Sequence, residues 1–228
     1  MELQLSAGAT DAAAPEPVLP ALPKRSRRYR PAGGRRLNSQ VRHACTVSVE
    51  RGWPAWATEV VVVVDPDPGW VGQARVLERR LRALLHPLLL EGIHHVGSTA
   101  VPGLPAKPII DLMAGVRSLD DAAAIAEILT PDGWHFVLPE LDGRSWRRFL
   151  VLVHDESRVA HLHLMEPATP RWREQLAFRD ALRGDSALAA NYGELKRDLA
   201  LRFRDDREAY GYAKEAFVRG VLGTVGES

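Results

Sequence analysis

A single cysteine, Cys45, occurs among the 228 residues, so the chain has no intramolecular disulfide to stabilise it. The longest all-aliphatic run is residues 60–64, far short of the roughly 20 apolar residues that a membrane-spanning helix needs. The first four residues, MELQ, have neither the basic residues nor the apolar stretch that open a signal peptide. From these absences we expect a protein of the reducing cytoplasm, with no membrane association.

Two common catalytic motifs are also missing. Residues 97–107 lack the Gly-x4-Gly-Lys-Ser/Thr spacing of a P-loop, so this segment is not a Walker A motif. They also lack Gly-x-Ser-x-Gly, so the nucleophile elbow of an α/β-hydrolase is not supported.

Positive charge is concentrated near the N-terminus. The formal net charge is +1, yet residues 24–42 hold eight basic residues and no acidic one. From residue 43 onward there are 22 basic and 26 acidic residues, so we do not expect this part to bind nucleic acid. Residues 1–52, rich in Pro and Ala and then in Arg, are predicted to be a disordered tail. Such a tail is either simply solvated or docks on RNA, an acidic partner or an anionic membrane.

The folded domain is predicted over residues 53–224, and it combines strands with helices. Short β-branched or alternating runs predict strands, and apolar residues at helical spacing predict helices. Strands mixed with helices, followed by a helical C-terminal third, indicate an α/β (α+β) fold. The predicted strands cover residues 60–64, 91–96, 108–116, 134–138, 146–153 and 159–165, and the predicted helices cover 70–89, 120–129, 170–183, 186–203 and 207–222.

The most informative segment is residues 93–113, IHHVGSTAVPGLPAKPIIDLM. Gly97 and Ser98 follow an apolar strand, and such a pair suits a phosphate, because glycine lets backbone amides approach and a hydroxyl can bond an oxygen. An ordinary turn is the alternative. Asp111 lies within the next apolar strand, where an unpaired carboxylate is costly. Either a metal or phosphate site balances it, or it pairs with Lys107 or an arginine.

A second informative run is HLHLMEP at residues 161–167. Strand alternation puts His161 and His163 on one face and Leu162 and Leu164 in the core. Two histidines at this spacing can ligate a metal, bind a phosphate or position a proton. The alternative is a pair of half-exposed sheet histidines.

Other charged residues are less specific. Arg147 and Arg148 open a predicted strand, where they face either a phosphate or solvent. Lys196 and Lys214 lie on the predicted C-terminal helices and are expected at the surface, as most charged side chains on helices are.

Several segments together resemble the signature of the GrpB family of bacterial proteins. HVGSTAVPGL at residues 95–104 is followed by AKPIID at 106–111, and HLHLMEP comes later. DPGW at residues 67–70 is similar to the family's Tyr-Asp-Pro-x-Trp, although Asp65 and Pro66 diverge from its usual lead-in. The resemblance covers about residues 58–222 and continues through Trp172, residues 178–180, Tyr192, residues 195–196, Tyr210 and Lys214.

This resemblance implies a nucleotidyltransferase-like fold of the DNA polymerase β type, a mixed β-sheet with flanking helices. In that fold a Gly-Ser pair holds nucleotide phosphates, and strand carboxylates hold Mg²⁺ ions that stabilise phosphoryl transfer. Carried over to this chain, the nucleotide- or phosphate-binding residues are Gly97, Ser98 and Lys107. The expected catalytic residues are Asp111, His161 and His163. The candidate Mg²⁺ ligands are Asp111 and, as the nearest further acid, Glu166.

The chain departs from this pattern at the second carboxylate. Its position falls on Met113, whose thioether does not suit Mg²⁺, and Glu166 is the nearest acid to the third. Three hypotheses remain open. The chain transfers a nucleotidyl group from an NTP to an unknown acceptor, or it binds a nucleotide or phosphorylated metabolite without turnover. Alternatively, it is a folding-support or interaction module with a protein partner, as in domains fused to dephospho-CoA kinases.

Overall fold

A computed structural model describes residues 54–226 of the chain. The tail predicted for residues 1–52 lies outside the described residues. Within them, a five-stranded mixed sheet is flanked by helices and followed by a helical C-terminal part, which confirms the predicted α/β (α+β) class. In this part of the chain, no helix has the length and apolar character required to cross a membrane.

The sheet has the strand order β1-β2-β5-β4-β3. Neighbouring strands are antiparallel except β2 and β5, which are parallel. A parallel pair needs a long crossover, and here the crossover contains two α-helices and two further strands of the sheet. The strands are β1 (Leu89–Val96), β2 (Ile110–Val116), β3 (Trp134–Val137), β4 (Arg148–His154) and β5 (Ser157–Met165).

The helices follow the predicted periodicity except near the C-terminus. The first ends in a 3-10 turn that contains Pro87, as predicted for a residue with no N–H to donate. The last predicted helix is divided in two at Lys214. The α-helices are α1 (Gly69–Leu85), α2 (Ala122–Leu129), α3 (Pro139–Asp142), α4 (Pro170–Gly184), α5 (Ser186–Arg202), α6 (Arg207–Ala213) and α7 (Glu215–Gly226).

Side-chain alternation along β2 and β5 separates the main core from the candidate site. Leu112, Leu162 and Leu164 are fully buried in an apolar cluster that α1 and α2 complete. Asp111 and His161 alternate with these leucines and therefore belong to the other face of the sheet. The predicted placement of the leucines in the core is confirmed.

The prediction of a strand at residues 60–64 is wrong. Val64 forms only an isolated antiparallel bridge with Ala106, and the Val61 N–H donates to the Arg204 carbonyl at 2.7 Å. The segment is extended and apolar because Val61 is buried against residues of the C-terminal helices. Packing against helices thus explains a β-branched run that resembles a sheet strand.

Candidate functional site

Gly97 and Asp111 lie side by side because β1 and β2 pair in antiparallel fashion. The register places Val96 opposite Asp111, and Gly97 follows with φ of 70°. A Cβ atom on residue 97 would lie 2.5 Å from Asp111 Oδ2. Glycine is therefore required both by the positive φ and by the close approach. The predicted proximity of the Gly-Ser loop to Asp111 is confirmed.

Asp111 meets His161 and His163 across the parallel pair of β2 and β5. The register sets Asp111 opposite His161, with His163 two residues further along the same face. Asp111 Oδ1 lies 2.8 Å from His161 Nδ1 and 3.5 Å from His163 Nε2. The three side chains are 28%, 14% and 17% exposed, so solvent reaches the cluster only in part. The structure thus brings together the three residues that the sequence marks as catalytic candidates.

An ion pair behind His163 fixes where that ring carries its proton. Arg147 donates to both carboxylate oxygens of Asp142, from Nε at 2.9 Å and from Nη2 at 2.6 Å. Its Nη1 lies 2.5 Å from His163 Nδ1. A guanidinium only donates, so Nδ1 accepts, and the neutral ring carries its proton on Nε2, which faces Asp111. Arg147 therefore does not face a ligand phosphate, which was one of its two expected roles.

We call Asp111, Asp142, Arg147, His161 and His163 the histidine cluster. Burial alone would raise the pKa of Asp111, but hydrogen bonds from the two histidines hold that pKa well below its usual range. Burial lowers the pKa of His161, and burial together with Arg147 lowers the pKa of His163 to about 4. At neutral pH the Asp111 carboxylate is therefore ionised and both imidazoles are neutral. Within the described residues, His161 Nε2 is the one polar side-chain atom of this cluster that is buried without a hydrogen-bond partner.

Three lysines converge on the same region from different parts of the chain. Lys107 Nζ and Lys214 Nζ lie 5.2 Å and 4.3 Å from the centre of the Tyr210 ring. Lys196 is 1% exposed, donates to the Pro105 carbonyl and lies 4.9 Å from the centre of the Tyr192 ring. We call Lys107, Lys196 and Lys214 the lysine cluster.

The charges of the lysine cluster are poorly compensated. Burial lowers the pKa of all three lysines, and the charge of Lys214 lowers the pKa of Lys107 and Lys196 further. The pKa values fall to about 8 for Lys107 and Lys214 and to about 7 for Lys196. Asp111 is the acidic group whose charge opposes each shift, and its carboxylate already accepts from the histidines.

The chain has four lysines and 26 arginines. Lys24 lies outside the described residues, and the other three form the lysine cluster. The surface placement expected for Lys196 is wrong and that for Lys214 is only half right, since Lys196 is buried and Lys214 is half-buried. Helical periodicity does not say which helix face packs on a loop. The scarcity of lysine beside 26 arginines is a signal that could have singled out these positions.

Helix α4 holds the Gly-Ser loop from both sides. Arg179 Nη1 donates to the His95 carbonyl at 3.1 Å, and Arg183 Nε donates to the Ala100 carbonyl at 2.8 Å. Ser98, which lies between His95 and Ala100 in the chain, is half-buried and starts a 3-10 turn, Ser98–Ala100. Among the described residues its hydroxyl has no hydrogen-bond partner. The loop is thus fixed in shape, and the Ser98 hydroxyl still has a hydrogen bond to donate.

The two further carboxylates of the implied Mg²⁺ site are not found beside Asp111. Met113, at the second position, is fully buried in an apolar cluster with Met165 and Trp172. Glu166 is exposed, and its carboxylate accepts from the Leu119 N–H at 3.4 Å. The structure therefore does not bring Glu166 to Asp111, which argues against its expected role as a metal ligand.

Distance alone would allow one metal ion in the histidine cluster. One ligand atom from each of Asp111, His161 and His163 lies within 4.8 Å of the others. One carboxylate and two imidazoles are nevertheless a poor donor set for Mg²⁺, which prefers oxygen ligands in octahedral geometry. The residues present do not fit the magnesium that the resemblance implies.

The chain is similar to known proteins both in sequence and in structure. UPF0157 protein PA4798 of Pseudomonas aeruginosa is 35% identical over 175 residues, which are 75% of this chain and 70% of that protein. The crystal structure of the conserved protein GrpB from Enterococcus faecalis is 32% identical, with a TM-score of 0.62 over 70% of this chain and 94% of that one. A more distant structural match, the Cid1 poly(U) polymerase, is 17% identical with a TM-score of 0.47 over 66% of this chain and 49% of that one.

Some relatives are much longer than the matched region. The chain spans 40% of UPF0157 protein YqkA of Bacillus subtilis, at 31% identity over 62% of its own length. It spans 44% of a dephospho-CoA kinase of Mycolicibacterium paratuberculosis, at 31% identity over 70% of its own length. The family model described as GrpB protein matches residues 60–224. Since this match covers well over half of the sequence, the chain belongs to the GrpB family.

Proposed function

We propose that the chain binds the phosphate groups of a nucleotide or another phosphorylated small molecule, between the Gly97–Ser98 loop and the lysine cluster. The observation that carries the proposal is the surplus of positive charge in the lysine cluster. Three ammonium groups lie in one region of the site. For each of them, Asp111 is an acidic group whose charge opposes the lowering of the pKa. Burying cations without adequate partners is costly, and an anionic ligand supplies the missing charge.

The adjacent loop offers further donors of the kind that phosphate oxygens accept. Ser98 has a hydroxyl without a partner among the described residues, and Gly97 leaves the backbone accessible to a close approach. Lys107 ends the same loop and lies against Tyr210 together with Lys214. A phosphate group has enough acceptor oxygens to bond several of these donors at once.

Nucleotidyl transfer from an NTP to an unknown acceptor is the more specific hypothesis. Two-metal transfer needs several carboxylate oxygens around the reacting phosphate. Among the described residues Asp111 lies against Gly97, whereas Met113, at the expected position of the second carboxylate, is buried in an apolar cluster. Binding without turnover is therefore the function that this geometry supports best.

The proposal is tested by isothermal titration calorimetry with ATP, CTP, GTP, UTP and inorganic tripolyphosphate at low salt. Lys214→Met should weaken binding at least about tenfold, because a desolvated charged hydrogen bond contributes roughly 1.5–3 kcal/mol. Arg202→Met is the matched control, since it removes one positive charge from an exposed pair with Asp198. Equal effects of the two variants, or no binding of any of these anions, would contradict the proposal.

Turnover is measured in the same protein by release of pyrophosphate from each NTP. Release that disappears in Asp111→Ala would show that the site transfers a nucleotidyl group as well as binding one. Binding without release would assign the chain to the binding class.

The relation to a dephospho-CoA kinase favours one second candidate, a folding-support or interaction module. The matched region there is 44% of a longer enzyme, so this domain accompanies another one in that protein. Failure of every phosphate ligand to bind, together with normal folding, would favour this role.

A further inference from the structure

The histidine cluster and the lysine cluster together determine how phosphate charge is neutralised. We infer that the site binds its phosphate ligand without a divalent metal ion, with the lysine cluster supplying the positive charge that Mg²⁺ supplies in two-metal sites. This inference rests on the proposed phosphate binding and goes beyond it, because a binding site could equally depend on a metal.

The first argument is the orientation of His163. A histidine that ligates a metal presents a lone pair to the ion and donates its other N–H to a carboxylate or carbonyl. His163 has the reverse arrangement: its second nitrogen faces the Arg147 guanidinium at 2.5 Å, which only donates. Asp142 holds that guanidinium with two hydrogen bonds. The proton of His163 therefore occupies Nε2, the atom through which it would have to bind an ion beside Asp111.

The second argument is the environment of His161. Its Nδ1 lies 2.8 Å from Asp111 Oδ1 and donates to that ionised carboxylate. Its Nε2 is buried without a hydrogen-bond partner, and the Phe149 ring centre lies 4.9 Å from the imidazole centre. Neither nitrogen thus offers an accessible lone pair next to Asp111. The two histidines stabilise the charge of Asp111 as hydrogen-bond donors, which is the role a metal would otherwise have.

The third argument is the distribution of positive charge. In a two-metal site, carboxylates hold the ions and the ions hold the phosphate. Here the additional carboxylate positions are empty of acids, since Met113 is apolar and Glu166 lies with Leu119. The lysine cluster instead places three ammonium groups directly in the region. The lysine side chains supply the positive charge, and the carboxylates that a metal would need are absent at these two positions.

The experiment is a titration of the wild-type protein with tripolyphosphate in EDTA, compared with buffers that contain Mg²⁺, Mn²⁺ or Zn²⁺. We expect binding in EDTA, with an affinity equal to or up to a few times greater than that with metal, because a metal neutralises part of the ligand's charge. Binding at least tenfold tighter with any of the three metals would overturn the inference while leaving phosphate binding itself intact.

The variant Asp111→Asn further distinguishes a metal-free phosphate site from a metal-dependent one. Without a metal, this variant should bind tripolyphosphate as tightly as wild type or several times more tightly, because it removes a negative charge beside the ligand. A metal-dependent site would lose binding instead. If this variant does not fold, as judged by circular dichroism, the wild-type titrations decide alone.

A third measurement keeps the inference testable if no phosphate ligand binds. Metal alone is titrated into wild-type protein and followed by calorimetry and elemental analysis. We expect that the wild-type protein does not bind Mg²⁺, Mn²⁺ or Zn²⁺ stoichiometrically. One equivalent bound by wild type and lost in Asp111→Asn would overturn the inference, and failure of phosphate binding alone would count only against the proposed function.

Discussion

The histidine cluster and the lysine cluster differ in how their charges are compensated. In the histidine cluster the charged groups are bonded to one another, as in the bidentate contact of Arg147 with Asp142. In the lysine cluster three ammonium groups face aromatic rings and a carbonyl, and no carboxylate of the described residues is paired with them. A compensated cluster stabilises the fold, whereas an uncompensated one costs stability, as the proposed phosphate site requires. Mutations should therefore have opposite effects in the two clusters.

The largest effect is expected for Asp142→Ala, which breaks the compensated side. The side chains of Asp142 and Arg147 are 5% and 10% exposed, so the variant leaves a nearly buried guanidinium without a carboxylate partner. Loss of one member of such a pair typically costs about 3 kcal/mol. Urea denaturation should show this decrease in the free energy of unfolding. Asp132→Ala, which breaks the exposed pair with Arg80, is the control and should cost less than about 1 kcal/mol. Similar costs for both would mean that the histidine cluster is not specially stabilised.

The next largest effect is expected at Gly97, which lies directly against Asp111. Gly97→Ala places a Cβ at a φ of 70° and 2.5 Å from Asp111 Oδ2, so the carboxylate must move. A positive φ at a non-glycine residue and the displaced carboxylate together should cost about 2 kcal/mol. Thermal denaturation measures it, and Gly103→Ala is the control, since its φ is also positive but nothing lies within 4 Å of its Cβ position. A difference between the two variants isolates the contact with Asp111.

Lys214→Met should have the opposite sign. Burial lowers the pKa of Lys214 to about 8, so its charge is less favourable in the folded chain than in the unfolded one. Removal of the charge should raise the free energy of unfolding at pH 7 by about 1 kcal/mol, while binding of phosphate weakens. A destabilised Lys214→Met would show that the lysine has a structural partner and would break the contrast between the clusters.

The smallest effect is a pH dependence of ligand affinity. In the free protein the pKa values of Lys107 and Lys214 are about 8 and that of Lys196 is about 7, so all three lose protons between pH 7 and 9. A bound anion favours the protonated lysines, so binding takes up protons. Affinity for tripolyphosphate should therefore fall about threefold from pH 7 to pH 9. Calorimetry in buffers of different ionisation enthalpy would detect the proton uptake, and a constant affinity would show that the lysines do not contact the ligand.

The sequence was sufficient to predict the part of the site that depends on local order. An apolar strand followed by Gly97-Ser98, and a second strand with Asp111, form an antiparallel pair, so their proximity follows from chain direction. Alternation likewise placed His161 and His163 on one face. These features need only strand periodicity and short connections, both of which can be read from the residues.

The remainder depended on contacts that strand and helix periodicity does not specify. The bond between Asp142 and Arg147 requires the chain to turn through α3 and Gly143, whereas the sequence suggested only a solvent or phosphate contact for Arg147. Lys196 was expected at the surface because most charged residues on helices are exposed, yet this lysine of α5 donates to the loop carbonyl of Pro105. The apolar segment 60–64 packs on helices, and periodicity alone could not distinguish that from a sheet. A loop conformation decided the case of Arg147, and contacts between distant segments decided the other two.

Because the lysines are concentrated at one place, the domain can also be labelled selectively with amine-reactive reagents. Primary amines react with acylating reagents in their uncharged form, and the lowered pKa values increase that form near neutral pH. Since the chain has only four lysines, a mass spectrum of the labelled protein has few sites to resolve. Half-buried Lys107 and Lys214 should be modified readily, and a true ligand should protect them while leaving Lys24 reactive. Differential labelling in fractionated cell extracts would therefore report the natural ligand by the protection it gives, even while its chemical structure is unknown.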